Sequence, residues 1–275
     1  MIIDAHQHFW QLTRGDYDWL TPEIAPVYRD FMPDDLAPHL SRNGIDGTIL
    51  VQAAPTVAET GFLLKIAERT PFVLGVVGWT DFTATTAAND IEQLAKHPKL
   101  VGLRPMIQDI ADDTWMLRPD LAPAFEAMIE YDLTFDALVL PRHLPHLRAL
   151  LSRHPRLRTV IDHGAKPDIA DAKFVSWAND MEAIAHDTNA YCKLSGLLTE
   201  AGTDWTKADV APYVTHLFDK FGPRRLVWGS DWPVLTLAAS YDDWHEMATA
   251  FIPNASDRNS IFGANALDLY RRASK

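Results

Sequence analysis

A chain of 275 residues, 47% hydrophobic and 23% charged, can bury one large core and has the composition of a globular domain. Its formal net charge of -12 repels phosphate backbones, and no basic patch interleaved with aromatics offsets it, which excludes nucleic acid as a partner. The single cysteine, Cys192, excludes an internal disulfide and reads as a small core residue; no apolar run reaches the roughly 18 residues of a membrane helix, and with no leader-like segment before the first strand the cytoplasm is the expected compartment.

The first strand is expected over residues 2–8, ending in His6-Gln7-His8. In a strand, residues two apart share a face, so Ile2, Asp4, His6 and His8 are assigned to one parity and both imidazoles to one side. Residues 9–32 then lose any period and carry Trp10, Tyr17, Trp19 and Tyr28, a length and composition that suit a lid or binding wall. From Pro33 on, helix and strand alternate. Helices are expected over 33–43, 57–69, 87–97, 119–131, 144–154, 173–187 and 207–221, and strands over 46–51, 72–79, 100–104, 133–138, 157–163, 190–195 and 226–231. Residues 265–271 read as a terminal helix packed on the outside. Eight strands alternating with helices, without a linker that divides them, predict an α/β fold: a single-domain (β/α)8 TIM barrel spanning 1–275. A doubly wound sheet would want a glycine-rich turn after the first strand, where HQHFW stands instead.

Barrel chemistry sits at the carboxyl ends of strands. Four ends carry suitable groups: His6 and His8 on strand one, His163 in VIDHG on strand six, and Asp231 in WGSDWP on strand eight. Three imidazoles and a carboxylate are a ligand set for one divalent ion with room for a water, and four polar groups crowded into one rim need a reason for their desolvation. Arg104, ending strand four, suits a substrate oxygen or carboxylate, or else a salt bridge to Asp109 or Asp136. His143 is placed to reach a hydroxyl, while Trp10, Tyr17, Trp19, Trp79 and Trp232 offer rings to the apolar face of a sugar. No G-x-S-x-G elbow is present, which disfavours covalent acyl transfer by serine.

The HxH of DAHQH, the IDHG, the GSDWP and the closing FGANALDLY resemble the amidohydrolase superfamily, and within it the amidohydrolase-related lactonase branch, over essentially the whole chain. The sugar lactonases are the nearest group, L-fucono-lactonases first, with rhamnono-lactonases and pyrone-dicarboxylate lactonases as cousins. The resemblance implies hydrolysis of an aldonolactone, L-fucono-lactone or a near relative such as L-galactono- or D-arabinono-lactone. It also implies that His6, His8, His163 and Asp231 hold metal or polarise substrate, and that Asp231 moves the proton.

Two departures narrow this. Binuclear members carry a bridging lysine on strand four and a histidine on strand five, where this chain has Arg104 and Phe135-Asp136. At most one ion, zinc or manganese, is therefore expected, with its necessity left open and no organic cofactor. Rival readings are a lactonase of a carboxylated pyrone or muconate-type ring, a metal-dependent decarboxylase of an aromatic acid, and a non-catalytic carbohydrate-binding barrel. A planar dicarboxylate would want at least two cations, and beyond Arg104 only Lys166 and Arg142 are placed to help.

Overall fold

A computed structural model describes residues 1–272. Eight parallel strands follow one another in chain order around a single sheet: β1 (Ile3–Gln7), β2 (Gly47–Val51), β3 (Val73–Gly78), β4 (Leu100–Leu103), β5 (Thr134–Ala137), β6 (Thr159–Ile161), β7 (Tyr191–Leu194) and β8 (Leu226–Trp228). The ring closes where Asp231 N–H donates to His6 O at 2.8 Å and His8 N–H to Trp232 O at 2.8 Å. Helices α1 (Pro33–Asn43), α2 (Val57–Arg69), α3 (Ala87–Ala95), α4 (Ala122–Glu130), α5 (Leu144–Arg153), α6 (Val175–Asp187) and α7 (Lys207–Phe221) return the chain between strands. After β8 the chain makes α8 (Tyr241–Phe251), which the sequence reading left unassigned, then the short α9 (Ala255–Asn259) and α10 (Asn265–Leu269). The expected (β/α)8 barrel is what forms. No helix among the described residues is long and apolar enough to cross a membrane.

Three details differ from expectation, and each has a local cause. The parity of β1 is not constant. Ile3 and Ala5 join Ile49, Val51, Val77, Val101, Val160 and Val227 in the barrel interior, while Asp4 turns outward to accept from Ser230 N–H (2.8 Å), Ser230 Oγ–H (2.6 Å) and Tyr241 O–H (3.0 Å). A register shift between Asp4 and Gln7 resets the alternation, and His6 and His8 then both face inward. Gly229 lets the strands meet there, because a Cβ on it would stand 2.7 Å from the His6 Cβ.

The terminal helix does not lie on the outside. Ala266, Leu269 and Tyr270 pack with the interior residues Ile3, Ile49 and Val101, so α10 and the residue after it close the amino-terminal mouth of the barrel. The strands also stop short of their expected ends. The paired segment of β6 ends at Ile161 and that of β8 at Trp228, because His163 (φ 54°) and Asp231 (φ 60°) are in the left-handed region, where a strand cannot continue. The chemistry-bearing side chains thus sit in the turns just beyond the strands.

Candidate active site

Inward-facing residues stack in layers up the barrel. Above the apolar floor lies a buried charged layer. Lys193, in mid-strand β7 and wholly buried, points its ammonium at three acceptors: Asp136 Oδ2 (2.5 Å), Asp162 Oδ1 (2.9 Å) and His6 Nδ1 (3.0 Å). Hydrogen bonds to Asp136 and His6 and an ion pair with Asp162 make the buried ammonium tolerable. Tyr270 O–H donates to Asp136 Oδ2 at 2.7 Å, tying the floor to this layer. Arg104 Nη1 donates to Asp162 Oδ2 at 3.2 Å and stands 3.4 Å from His6 Nε2; Nη2 donates to the Gln52 carbonyl, and Gln52 Nε2 returns a bond to Arg104 O at 2.7 Å. Burial alone would raise the Asp162 pKa, but Lys193, His6 and Arg104 hold it well below the usual carboxylate range.

The top layer is the convergence of His6, His8, His163 and Asp231. Asp231 Oδ1 lies 3.2 Å from His8 Nε2, 3.6 Å from His6 Nε2 and 3.8 Å from His163 Nε2, and the Nε2 atoms of His6 and His8 are 3.2 Å apart. Each ring is steered from its other nitrogen. His8 Nδ1 donates to Val51 O at 2.7 Å, and His163 Nδ1 meets Ser195 Oγ at 2.9 Å. Gly196, at φ 63°, follows Ser195 because a Cβ there would stand 2.5 Å from His163 Nδ1. Burial lowers the pKa of both interior imidazoles, His6 well below the ordinary value and His163 to about 4, so both are neutral at pH 7. Burial opposes ionisation of Asp231, yet its contacts with His163 and His8 outweigh burial and hold it far down as a carboxylate.

Lys193 is the nearer donor to His6, so His6 Nδ1 accepts and Nε2 carries the proton; His8 donates Nδ1–H to Val51 O and turns its Nε2 to Asp231 Oδ1 at 3.2 Å. The donor set also fits one small divalent ion. Tetrahedral N and O donors at about 2.0–2.2 Å stand about 3.3–3.6 Å apart, and the three imidazole nitrogens stand close to this, 3.2–3.8 Å from Asp231 Oδ1. His6, His163 and Asp231 present ligand atoms all within 4.8 Å of one another. For His6 to serve, its Nε2 gives up the proton. A second ion has no room beneath, where the cations of Lys193 and Arg104 already meet His6.

The remaining expected contacts separate into two groups. Trp10 is fully buried, donates Nε1–H to Arg29 O (2.8 Å) and packs on Trp19, Tyr17 and Phe31; Trp232 is sealed between Phe9 and Phe31. These rings, with buried Tyr17, are the core of the 9–32 loop and offer no face to a ligand. Trp19, 37% exposed and anchored by Nε1–H to Ala53 O (2.8 Å), and half-buried Trp79 keep an open side. His143 is buried too: its Nδ1 accepts from Leu140 N–H (3.0 Å), and its Nε2 faces Asp113 at 3.3 Å without a hydrogen bond. Arg104 bridges neither Asp109 nor Asp136; its partner is Asp162, its Nη1 and Nη2 are engaged inside the barrel, and its buried Nε has no hydrogen-bond partner.

Lys193, Asp162 and Ser195 were not singled out as site residues. The available signal was a lysine in the apolar run AYCKLS, two residues before a serine and therefore on the same strand face.

The family model described as Amidohydrolase matches residues 3–272. The chain is 49% identical to an L-fucono-1,5-lactonase of Burkholderia ambifaria, the match covering 98% of this chain and 95% of that protein, and 34% identical to an L-fucono-1,5-lactonase of Burkholderia multivorans over the same shares. A crystal structure of an amidohydrolase from Burkholderia multivorans with bound zinc superposes with a TM-score of 0.93 at 33% identity, over 98% of this chain and 99% of that one.

Proposed function

From the premise that the chain belongs to the amidohydrolase family, we propose that it is a lactonase opening the ring of a neutral sugar lactone, L-fucono-1,5-lactone or a close stereochemical relative. The observation that carries this is the state of the cations around the site. Arg104 is committed to Asp162, Lys166 Nζ to Glu200 Oε1 at 3.1 Å, and Arg142 Nε to Asp113 Oδ1 at 2.7 Å. A dicarboxylate, or the carboxylate of an aromatic acid awaiting decarboxylation, finds none of these three unpaired. An uncharged ester needs none, and half-buried Trp79 and exposed Trp19 supply rings for its apolar face.

In this mechanism Asp231, ionised at neutral pH, removes a proton from the attacking water. The new C–O bond forms at the acyl carbon, the acyl–ring-oxygen bond breaks, and the same proton passes from Asp231 to the departing alkoxide, which stays tethered in the product. The imidazole contacts to Asp231 fall on Oδ1, so Oδ2 is the oxygen left to carry the proton. His6, with its proton on Nε2, donates toward the carbonyl oxygen as charge develops there, and Lys193 holds that tautomer from below. A zinc or manganese ion held by His6, His8, His163 and Asp231 would act as a Lewis acid on the same carbonyl.

The test is a pH-indicator assay of purified protein on L-fucono-1,5-lactone, with a pyrone dicarboxylate and a dihydroxybenzoate in parallel, before and after chelation. Acid release from the sugar lactone well above its spontaneous opening is expected. Selective turnover of either acid overturns the reading. Activity surviving chelation, with zinc shown absent by elemental analysis, would assign polarisation of the carbonyl to the imidazoles alone.

A further inference from the structure

We propose that the Lys166–Glu200 pair is a charge filter at the mouth of the site, admitting uncharged lactones and turning away anionic ones; this deepens the lactonase reading above and rests on it. The chain reaches this pair by a costly route. His163, Gly164, Ala165 and Lys166 run consecutively through the left-handed region at φ 54°, 57°, 62° and 50°, closed by Lys166 N–H to His163 O at 2.9 Å. For residues other than glycine this conformation costs about 1–2 kcal/mol each. Trp177 Nε1–H pins the turn by donating to Gly164 O at 2.7 Å. The tight left-handed turn keeps Lys166 close to His163 while its side chain reaches across to neighbouring loops.

There the ammonium meets Glu200 Oε1 at 3.1 Å, from the loop after β7, and Gln108 Oε1 at 3.4 Å, from the loop after β4. Both members of the ion pair remain about one quarter exposed, at 26% and 24%. An unpaired cation in this position would be a ready anchor for a substrate carboxylate. Glu200 removes that anchor, and an anion that displaced it would face the freed carboxylate, where like-charge juxtaposition is costly. A hydroxyl meets no such barrier, since it can donate to Glu200 and accept from Lys166 in one approach.

The experiment compares wild type, Glu200→Gln and the double variant Glu200→Gln with Lys166→Met. Two readouts are taken: kcat/KM for a neutral aldonolactone and for a carboxylated glucarolactone, and the calorimetric affinity for galactarate, a sugar dicarboxylate that needs no turnover. Glu200→Gln is expected to raise the anionic-to-neutral ratio of kcat/KM by about tenfold or more and to tighten galactarate by a similar factor, and the double variant to lose both gains. An unchanged ratio and unchanged galactarate affinity in Glu200→Gln overturn the filter while leaving the lactonase reading standing. A wild type inert toward neutral lactones overturns the lactonase reading, and the galactarate arm still decides whether the pair repels anions.

Discussion

The two ends of this barrel are built from the same strands by opposite rules. At the floor, Ile3, Ile49, Val101, Ala266 and Leu269 fill the interior with apolar groups. At the rim, His6, His8 and His163 are drawn to within 3.2–3.8 Å of one oxygen of Asp231, and four of the six described non-glycine residues with positive φ, namely His163, Ala165, Lys166 and Asp231, lie in the turns after β6 and β8. The floor supplies stability and the rim spends it on geometry. Between them, Lys193 belongs to both: its ammonium bonds Asp136, which Tyr270 ties to the floor, and His6, which opens the site.

The contrast can be broken most directly at the rim. Asp231→Asn keeps the shape and removes the base, so kcat should fall by about 10²- to 10⁴-fold; steady-state kinetics measures it, and near-full activity would move the base elsewhere. The middle layer should lose stability and rate together. Lys193→Met strands Asp136 without its cation and leaves Asp162 to Arg104 alone, a loss of about 3–5 kcal/mol in denaturant unfolding together with reduced kcat; an Arg in its place that restores stability but not rate would separate support from steering of His6.

At the floor the expected pattern reverses. Leu269→Ala should cost about 2–5 kcal/mol of stability while kcat per folded molecule stays level, and a matching drop in kcat would show that the two ends are not independent. The smallest effect is set by pH. In metal-free protein, folding lowers the His163 pKa from 6.5 to about 4, so the unfolded chain binds this proton first as pH falls. The stability contributed by neutral His163 is complete above pH 6.5 and is lost between pH 6.5 and 4, by about 3 kcal/mol at most. Unfolding of His163→Asn across that range should show a correspondingly flatter slope; an identical slope would mean that the ring is not desolvated.

Much of the fold was legible because alternation of strand and helix is written in local periodicity, and a barrel follows from eight repeats. The four rim groups were legible for a related reason: each stands at the end of an apolar run, where a polar residue is conspicuous. What was hidden depends on long-range context. The register shift in β1 that leaves Asp4 outward while His6 faces inward has no trace in MIIDAHQH, whose alternation looks unbroken. Trp10 and Tyr17 looked like binding aromatics because burial of a loop by its own side chains has no period. Lys193 was overlooked because its partners, Asp136, Asp162 and His6, come from three other strands, and the position of α10 depends on a cavity that exists only once the barrel has closed.

That closing helix bears on how the molecule is made. The wall begins with Ile3, yet the interior at that level is completed by Leu269 and Tyr270, contacts that span nearly the entire chain. Pairings so distant are slow to form, and apolar surface left uncovered meanwhile invites association with other chains. On a ribosome, β1 emerges long before Leu269 and Tyr270 and must wait, unlined, until they follow. A nascent chain stalled just short of Asn265 would carry every rim residue and still lack its stopper, making it a client for chaperones instead of an enzyme.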